Sequence, residues 1–200
     1  MFPVFIIFDC LKMNGMESVD DYKDYTKEKK TIDILAANNL ALKILGVGIV
    51  LLGVPFFLIW KPSLAISWQG SVLFFLLFAL GIVLHELIHG FVFGLYAKSG
   101  FKSIRFGFMK EYLTPYCHCS EPLKIRHYFI GALLPALLLG AVPIVASFFT
   151  GSLFWLIYGI VFFSAAAGDF LVVWVLRKEH PDTRVQDHDS EAGCWVYRKE

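Results

Sequence analysis

Charge is scarce in this chain and nearly cancels: 18% of residues are charged and the formal net charge is +1. The charges are spread in separate segments, so no basic patch argues for a nucleic-acid partner. Cysteine is sparse too. Cys10, Cys117, Cys119 and Cys194 lack the paired spacing of a disulfide framework, and Cys117-His118-Cys119 lacks the two-residue gap of a zinc knuckle or redox motif. Reduced thiols are expected. The apolar start, Met1 to Phe8, has neither a basic flank nor a small-residue cleavage site, which argues against a cleaved signal peptide. A membrane-surface segment fits it, as does a true start at Met13 or Met16. No repeat or low-complexity segment is present.

Apolar residues are what the chain has in excess. They make up 57% of it, and the mean hydropathy is +0.62. A soluble domain has nowhere to bury so much apolar surface, so part of the solvent must be lipid. Four apolar stretches approach the roughly 20 residues that a spanning helix requires: about Leu40–Trp60, Trp68–Ala97, Tyr128–Phe149 and Leu153–Leu176. Trp60, Trp68, Tyr96, Tyr128, Trp155 and Trp174 lie near their ends, where aromatic belts form.

Lysine and arginine alternate across the connections. The N-terminal arm is lysine-rich, the first loop holds Lys61 alone, the second connection carries Lys98, Lys102, Arg105, Lys110, Lys124 and Arg126, the third has none, and the tail opens with Arg177 and Lys178. Positive charge stays inside, so both termini are expected in the cytoplasm.

The expected architecture is mainly α: a polytopic protein with four transmembrane helices and a small β-hairpin on the cytoplasmic side between helices 2 and 3. A polar arm, residues 1–34, able to form a helix, precedes the transmembrane domain at 35–177, and a loosely ordered polar tail occupies 178–200. The hairpin falls at about 100–120. There Ile104, Phe106 and Phe108 alternate with Arg105, Gly107 and Met109, the period of a half-buried strand. A second run, Tyr112 to Tyr116, returns, and Pro115 is expected to end it.

One pattern carries chemistry. His85-Glu86-Leu87-Ile88-His89 is the His-Glu-x-x-His spacing of zinc peptidases. Residues four apart share a helix face, so both imidazoles reach one metal, and Glu86 stands beside it as general base. On a soluble helix these residues are commonplace. Here they interrupt an apolar run, where an ionisable group costs about 2.5–3.5 kcal/mol at mid-membrane. Zinc binding on the order of 10–16 kcal/mol, as in structural sites, offsets that cost; a satisfied buried polar cluster is the plainer reading.

A third zinc ligand is required. Asp169 is the acid of the fourth span, seven residues before its end at about Leu176; His89 lies eight residues before the end of the second span at about Ala97. Both helices run the same way, so at about 1.5 Å per residue the two groups share a depth. The small residues Ser164 to Gly168 allow close helix approach. A hydrogen-bonded helix–helix acid is the alternative for Asp169. Pro135 lies at similar depth, where it frees a backbone carbonyl and can bend the helix around a cavity, or simply kinks it for packing. Cys117, His118 or Cys119 offers a removable fourth ligand, with a turn packed under the hairpin as the bland reading. His127 either orients substrate or sits at the interface.

His85-Glu86-Leu87-Ile88-His89-Gly90, the run Tyr116-Cys117-His118-Cys119, Pro135 and Gly168-Asp169 together resemble the zincin peptidase family of bacterial membrane proteins. The resemblance covers about Leu80 to Asp182. It implies one Zn2+ on His85, His89 and Asp169, with Glu86 as general base, in the bacterial inner membrane. The layout is more distantly similar to site-2 proteases, which cut within the membrane. Ile88 stands where those enzymes usually have Gly, and Asp169 follows a Gly instead of preceding one.

The function expected is hydrolysis of a membrane or membrane-proximal polypeptide near the cytoplasmic face, with the hairpin holding an extended substrate. A zinc-binding membrane protein without hydrolysis, acting as sensor or assembly factor, keeps the same ligands but does not need Glu86. Zinc transport would require acids or histidines along a whole pathway, and one cluster at one depth does not provide it.

Overall fold

A computed structural model describes residues 25–63, 67–109, 114–188 and 191–199. Met13, Met16 and Cys10, with most of the expected arm, lie outside them. Helix α1 spans Ile34–Trp60, α2 Trp68–Tyr96 and α3 Ile125–Thr150. The first two begin on capping side chains. Asp33 accepts from the Leu35 N–H and Ser67 from the Gly70 N–H, which satisfies amides that have no partner inside a helix. α1 and α3 each contain a π-helical stretch, Ile49–Gly53 and Ala136–Ala141, directly ahead of Pro55 and Pro143. Such widening is a usual accommodation where the hydrogen-bond ladder is interrupted.

The chain is mainly helical, and α1, α2 and α3 are long and apolar enough to cross a membrane. Their large side chains, among them Leu51, Leu58, Phe75, Leu76 and Phe149, point outward. In water this would be untenable; in lipid it is the ordinary arrangement. The expected fourth span is different. It is two helices, α4 at Leu153–Ala165 and α5 at Ala167–Leu176, bent by 42° at Ala166. The bend follows from local chemistry. Ser164 Oγ donates back to the Val161 carbonyl at 2.8 Å, a contact that bends helices, and Gly168 is a poor helix former. Asp169 therefore sits in the first turn of a new helix, where the peptide dipole favours an acid.

The polar ends fold into a sheet, contrary to the loosely ordered tail that composition suggested. β1 (Tyr25–Thr31), β6 (Gly193–Lys199), β5 (Arg184–Asp187) and β4 (Leu123–Lys124) lie in the order β1-β6-β5-β4, each pair antiparallel. The end of the arm is thus a strand, not a helix. Val185, Cys194 and Val196 are buried with Leu123, Ile125, Tyr128, Phe93 and Leu176, so the sheet is continuous with the core at one end of the helices. Glu179, just past α5, accepts from Arg198 Nε and Nη2 at 2.7 and 2.9 Å and also pairs with Lys30. That pairing stitches β1 and β6 to the end of α5. The segment before α1, the connection from α2 to α3 and the segment after α5 consequently meet at one end of the bundle.

Between α2 and α3, β2 (Ile104–Met109) pairs antiparallel with β3 (Thr114–Cys119). The expectation that Pro115 ends the run is overturned: it lies inside β3, opposite Phe108. The reason is which way the backbone points. Alternate residues of an edge strand turn their N–H away from the partner, and in β3 these are 115, 117 and 119: the Cys119 N–H leaves the pair to reach Asp187. Position 115 therefore has no ladder bond to lose. Cys117-His118-Cys119 is likewise strand rather than a turn beyond the hairpin. Phe106 and Phe108, expected to be half-buried, remain 53% and 55% exposed.

Candidate metal centre

Three groups converge. His85 and His89 extend one turn apart from α2, and their ring centroids lie 4.8 Å apart. Asp169 enters from α5 and spans both rings, Oδ2 at 3.3 Å from His85 Nε2 and Oδ1 at 3.4 Å from His89 Nε2. One ligand atom from each residue lies within 4.8 Å of the others. The i, i+4 spacing brings the histidines together, and the break at Ala166 presents the acid.

His89 is held by more than its helix. Its Nδ1 is 2.9 Å from the Gly131 carbonyl of α3, and a carbonyl can only accept, so the proton resides on Nδ1. That leaves Nε2, which faces Asp169 Oδ1, as the nitrogen available to a metal. Gly131 is required at that spot, because a Cβ there would overlap the Phe93 ring. Phe93 in turn stacks on His89, with centroids 5.9 Å apart and planes at 18°. Hydrogen bonding of the second ring nitrogen is how metal-ligating histidines are usually oriented.

Glu86 lies beside the cluster on α2, and the backbone N–H of Cys117 in β3 bonds its carboxylate. Gly90, one residue past the motif, lets the hairpin come this close: a Cβ there would fall 2.5 Å from the Phe106 ring. Phe106 is the register partner of Cys117. Packing of β2 on α2 and placement of the Glu86 partner are therefore one arrangement.

The remaining candidates lie outside the three-residue group. Cys119 is buried, and its Sγ contacts the Glu121 carbonyl at 3.5 Å; burial pushes its thiol up to about 12. Cys117 sits on the same side of β3, and burial also raises its pKa. His118 is opposite Arg105 in the pair and has interactions of its own. His127 stacks on Tyr96 with centroids 3.9 Å apart and accepts from Arg126 Nε at 3.2 Å. The sequence pointed to a carbonyl freed by Pro135 but not to its use by His89, and it gave no sign of the Cys117 N–H, a backbone group on which side-chain identity is silent.

Two imidazole nitrogens and a carboxylate suit zinc, and a three-ligand set that leaves one position open is the catalytic form of such sites. The donor chemistry fits that ion: the Nδ1–H of His89 is committed to Gly131, so its Nε2 is free to ligate. A motif helix, a converging acid from a later helix and an adjacent glutamate form a candidate metal centre. The family model described as "Putative zincin peptidase" matches residues 78–184, and the chain belongs to that family. No curated protein and no solved structure matches it.

Proposed function

We propose that this protein is an integral-membrane zinc metallopeptidase that hydrolyses a peptide bond close to the end of the helix bundle where the sheet lies. The convergence of His85, His89 and Asp169 beside Glu86 carries this reading, and family membership supports it. His85, His89 and Asp169 would hold the metal. Zinc supplies Lewis-acid chemistry when bound, acidifying water and polarising a carbonyl.

The protein's own groups do the rest. Glu86 takes a proton from the attacking water and returns it to the leaving amine, while the Cys117 N–H fixes the carboxylate that performs both transfers. The hairpin offers strand backbone along which an extended polypeptide can add. The substrate is accordingly a membrane or membrane-proximal polypeptide, as for site-2 proteases. Lys27, Lys29, Lys30, Lys98, Lys102, Arg177 and Lys178 flank the sheet end of the bundle, which supports a cytoplasmic position for that end and for both termini in a bacterial inner membrane.

Purified protein in detergent tests the proposal through zinc content and cleavage of an unfolded polypeptide. Glu86→Gln should retain zinc and lose hydrolysis, and His85→Ala should lose both. Cleavage that survives in Glu86→Gln would overturn the mechanism. Zinc binding by wild type without any cleavage would favour the sensor or assembly role.

A further inference from the structure

Resting on the zinc reading, we infer that Pro135 is a positioning residue that sets the tautomer of His89 by leaving the Gly131 carbonyl without its helical partner. In an α-helix the N–H of residue i bonds the carbonyl of residue i−4. Residue 135 is proline and lies within α3, so the carbonyl four residues back, that of Gly131, receives no bond from it. The next amide does not substitute, because the Ala136 N–H goes to Leu133. The vacant acceptor is the one that His89 Nδ1 meets at 2.9 Å.

A carbonyl already bonded along its helix has weaker acceptor capacity left, and in an apolar surrounding that weakening matters more than in water. With the carbonyl fully available, the Nδ1–H tautomer is favoured and Nε2 keeps its lone pair for a metal. With an N–H restored at 135, the two donors compete, the Nε2–H tautomer gains population, and that form cannot ligate through Nε2. Gly131 completes the device, since any side chain there would displace Phe93, against which the His89 ring stacks. Proline and glycine four residues apart thus act on a histidine from another helix.

The test compares Pro135→Ala with Pro143→Ala, a proline about two turns further along α3 whose removal also changes the helix but leaves Gly131 alone. Zn2+ affinity is measured by competition with a chelator, and the His89 tautomer by 15N NMR of metal-free protein with labelled histidine. Pro135→Ala should weaken zinc binding about 10- to 100-fold, the range for loss of a group that orients a ligand. It should also turn a single Nδ1–H pattern into a mixture, whereas Pro143→Ala should keep the wild-type pattern and affinity, because the Gly131 carbonyl is untouched. An unchanged tautomer and unchanged affinity in Pro135→Ala would overturn the inference, as would an equal loss in Pro143→Ala. Failure of wild type to bind zinc sinks the zinc reading instead, and the metal-free spectra still decide whether Pro135 controls the ring.

Discussion

Asp187 Oδ1 accepts a hydrogen bond from the Tyr128 hydroxyl at 2.6 Å, joining the end of β5 to the start of α3. Its other oxygen accepts from the Cys119 N–H at 2.7 Å, at the end of β3. One carboxylate thus connects the sheet, a spanning helix and the hairpin that reaches Glu86. Burial raises the pKa of Asp187, against the two donors, which lower it.

Removing that carboxylate should cost more than removing either donor. Asp187→Ala leaves both the Tyr128 hydroxyl and the Cys119 N–H without their acceptor, and about 2–4 kcal/mol of stability is expected to be lost. Tyr128→Phe deletes one bond and leaves Cys119 satisfied, so roughly 1–2 kcal/mol is expected. Reversible unfolding in mild detergent measures both. A Tyr128→Phe loss as large as that of Asp187→Ala would show that the Cys119 bond contributes nothing.

Glu179 gives a pH dependence whose sign is fixed. Hydrogen bonds from Arg198, opposed by burial and aided by Lys30, hold its carboxyl down at about 2, against an ordinary value of 4.5. A depressed folded-state pKa means the contribution is complete above about 4.5 and disappears as pH falls toward 2. Wild type should therefore exceed Glu179→Gln in melting temperature at pH 7, with the gap closing steadily below pH 4.5. A constant gap down to pH 2.5 would mean that the ion pairs with Arg198 and Lys30 are not its source.

The convergence of the candidate ligands was largely legible in the sequence and the sheet was not, for a physical reason. His85, Glu86 and His89 depend on a local repeat, and Asp169 follows from counting residues in two helices that run the same way. The break at Ala166 left that count intact because it precedes the acid. Strand pairing between Lys30 and Cys194, by contrast, joins residues at opposite ends of the chain, and no local period reveals it. Cys194-Trp195-Val196-Tyr197, rich in aromatic and β-branched character, was the signal for a strand in a tail that looked merely polar. The Pro115 expectation failed because a propensity rule says nothing of which edge an N–H faces.

Asp169 should be indispensable for the metal, and its length should matter. Asp169→Ala removes the one acid ligand and is expected to abolish stoichiometric zinc, and Asp169→Asn to weaken it severely, because a neutral amide is a poor substitute for a carboxylate on this ion. Asp169→Glu keeps the charge but overshoots rings that now lie 3.3 and 3.4 Å away, so partial retention is the expected outcome. Metal analysis after dialysis against a weak chelator distinguishes the three. Full zinc in Asp169→Ala would remove this residue from the centre.

Gly90 offers the sharpest separation of metal binding from proton transfer. A methyl group at this position meets the Phe106 ring at 2.5 Å, and Phe106 is paired across the hairpin with Cys117. Gly90→Ala should therefore lift β2 from α2 and draw the Cys117 N–H away from Glu86, while His85, His89 and Asp169 stay together. Zinc content is expected to be normal and kcat to fall by about 10- to 100-fold, since displacements near 1 Å at a reacting group carry penalties of that order. Adding Phe106→Leu makes room for the methyl group, so the double variant should regain much of the lost rate even though it carries one more substitution. Rates in Gly90→Ala equal to wild type, or a double variant slower than either single one, would show that the hairpin does not set the position of Glu86.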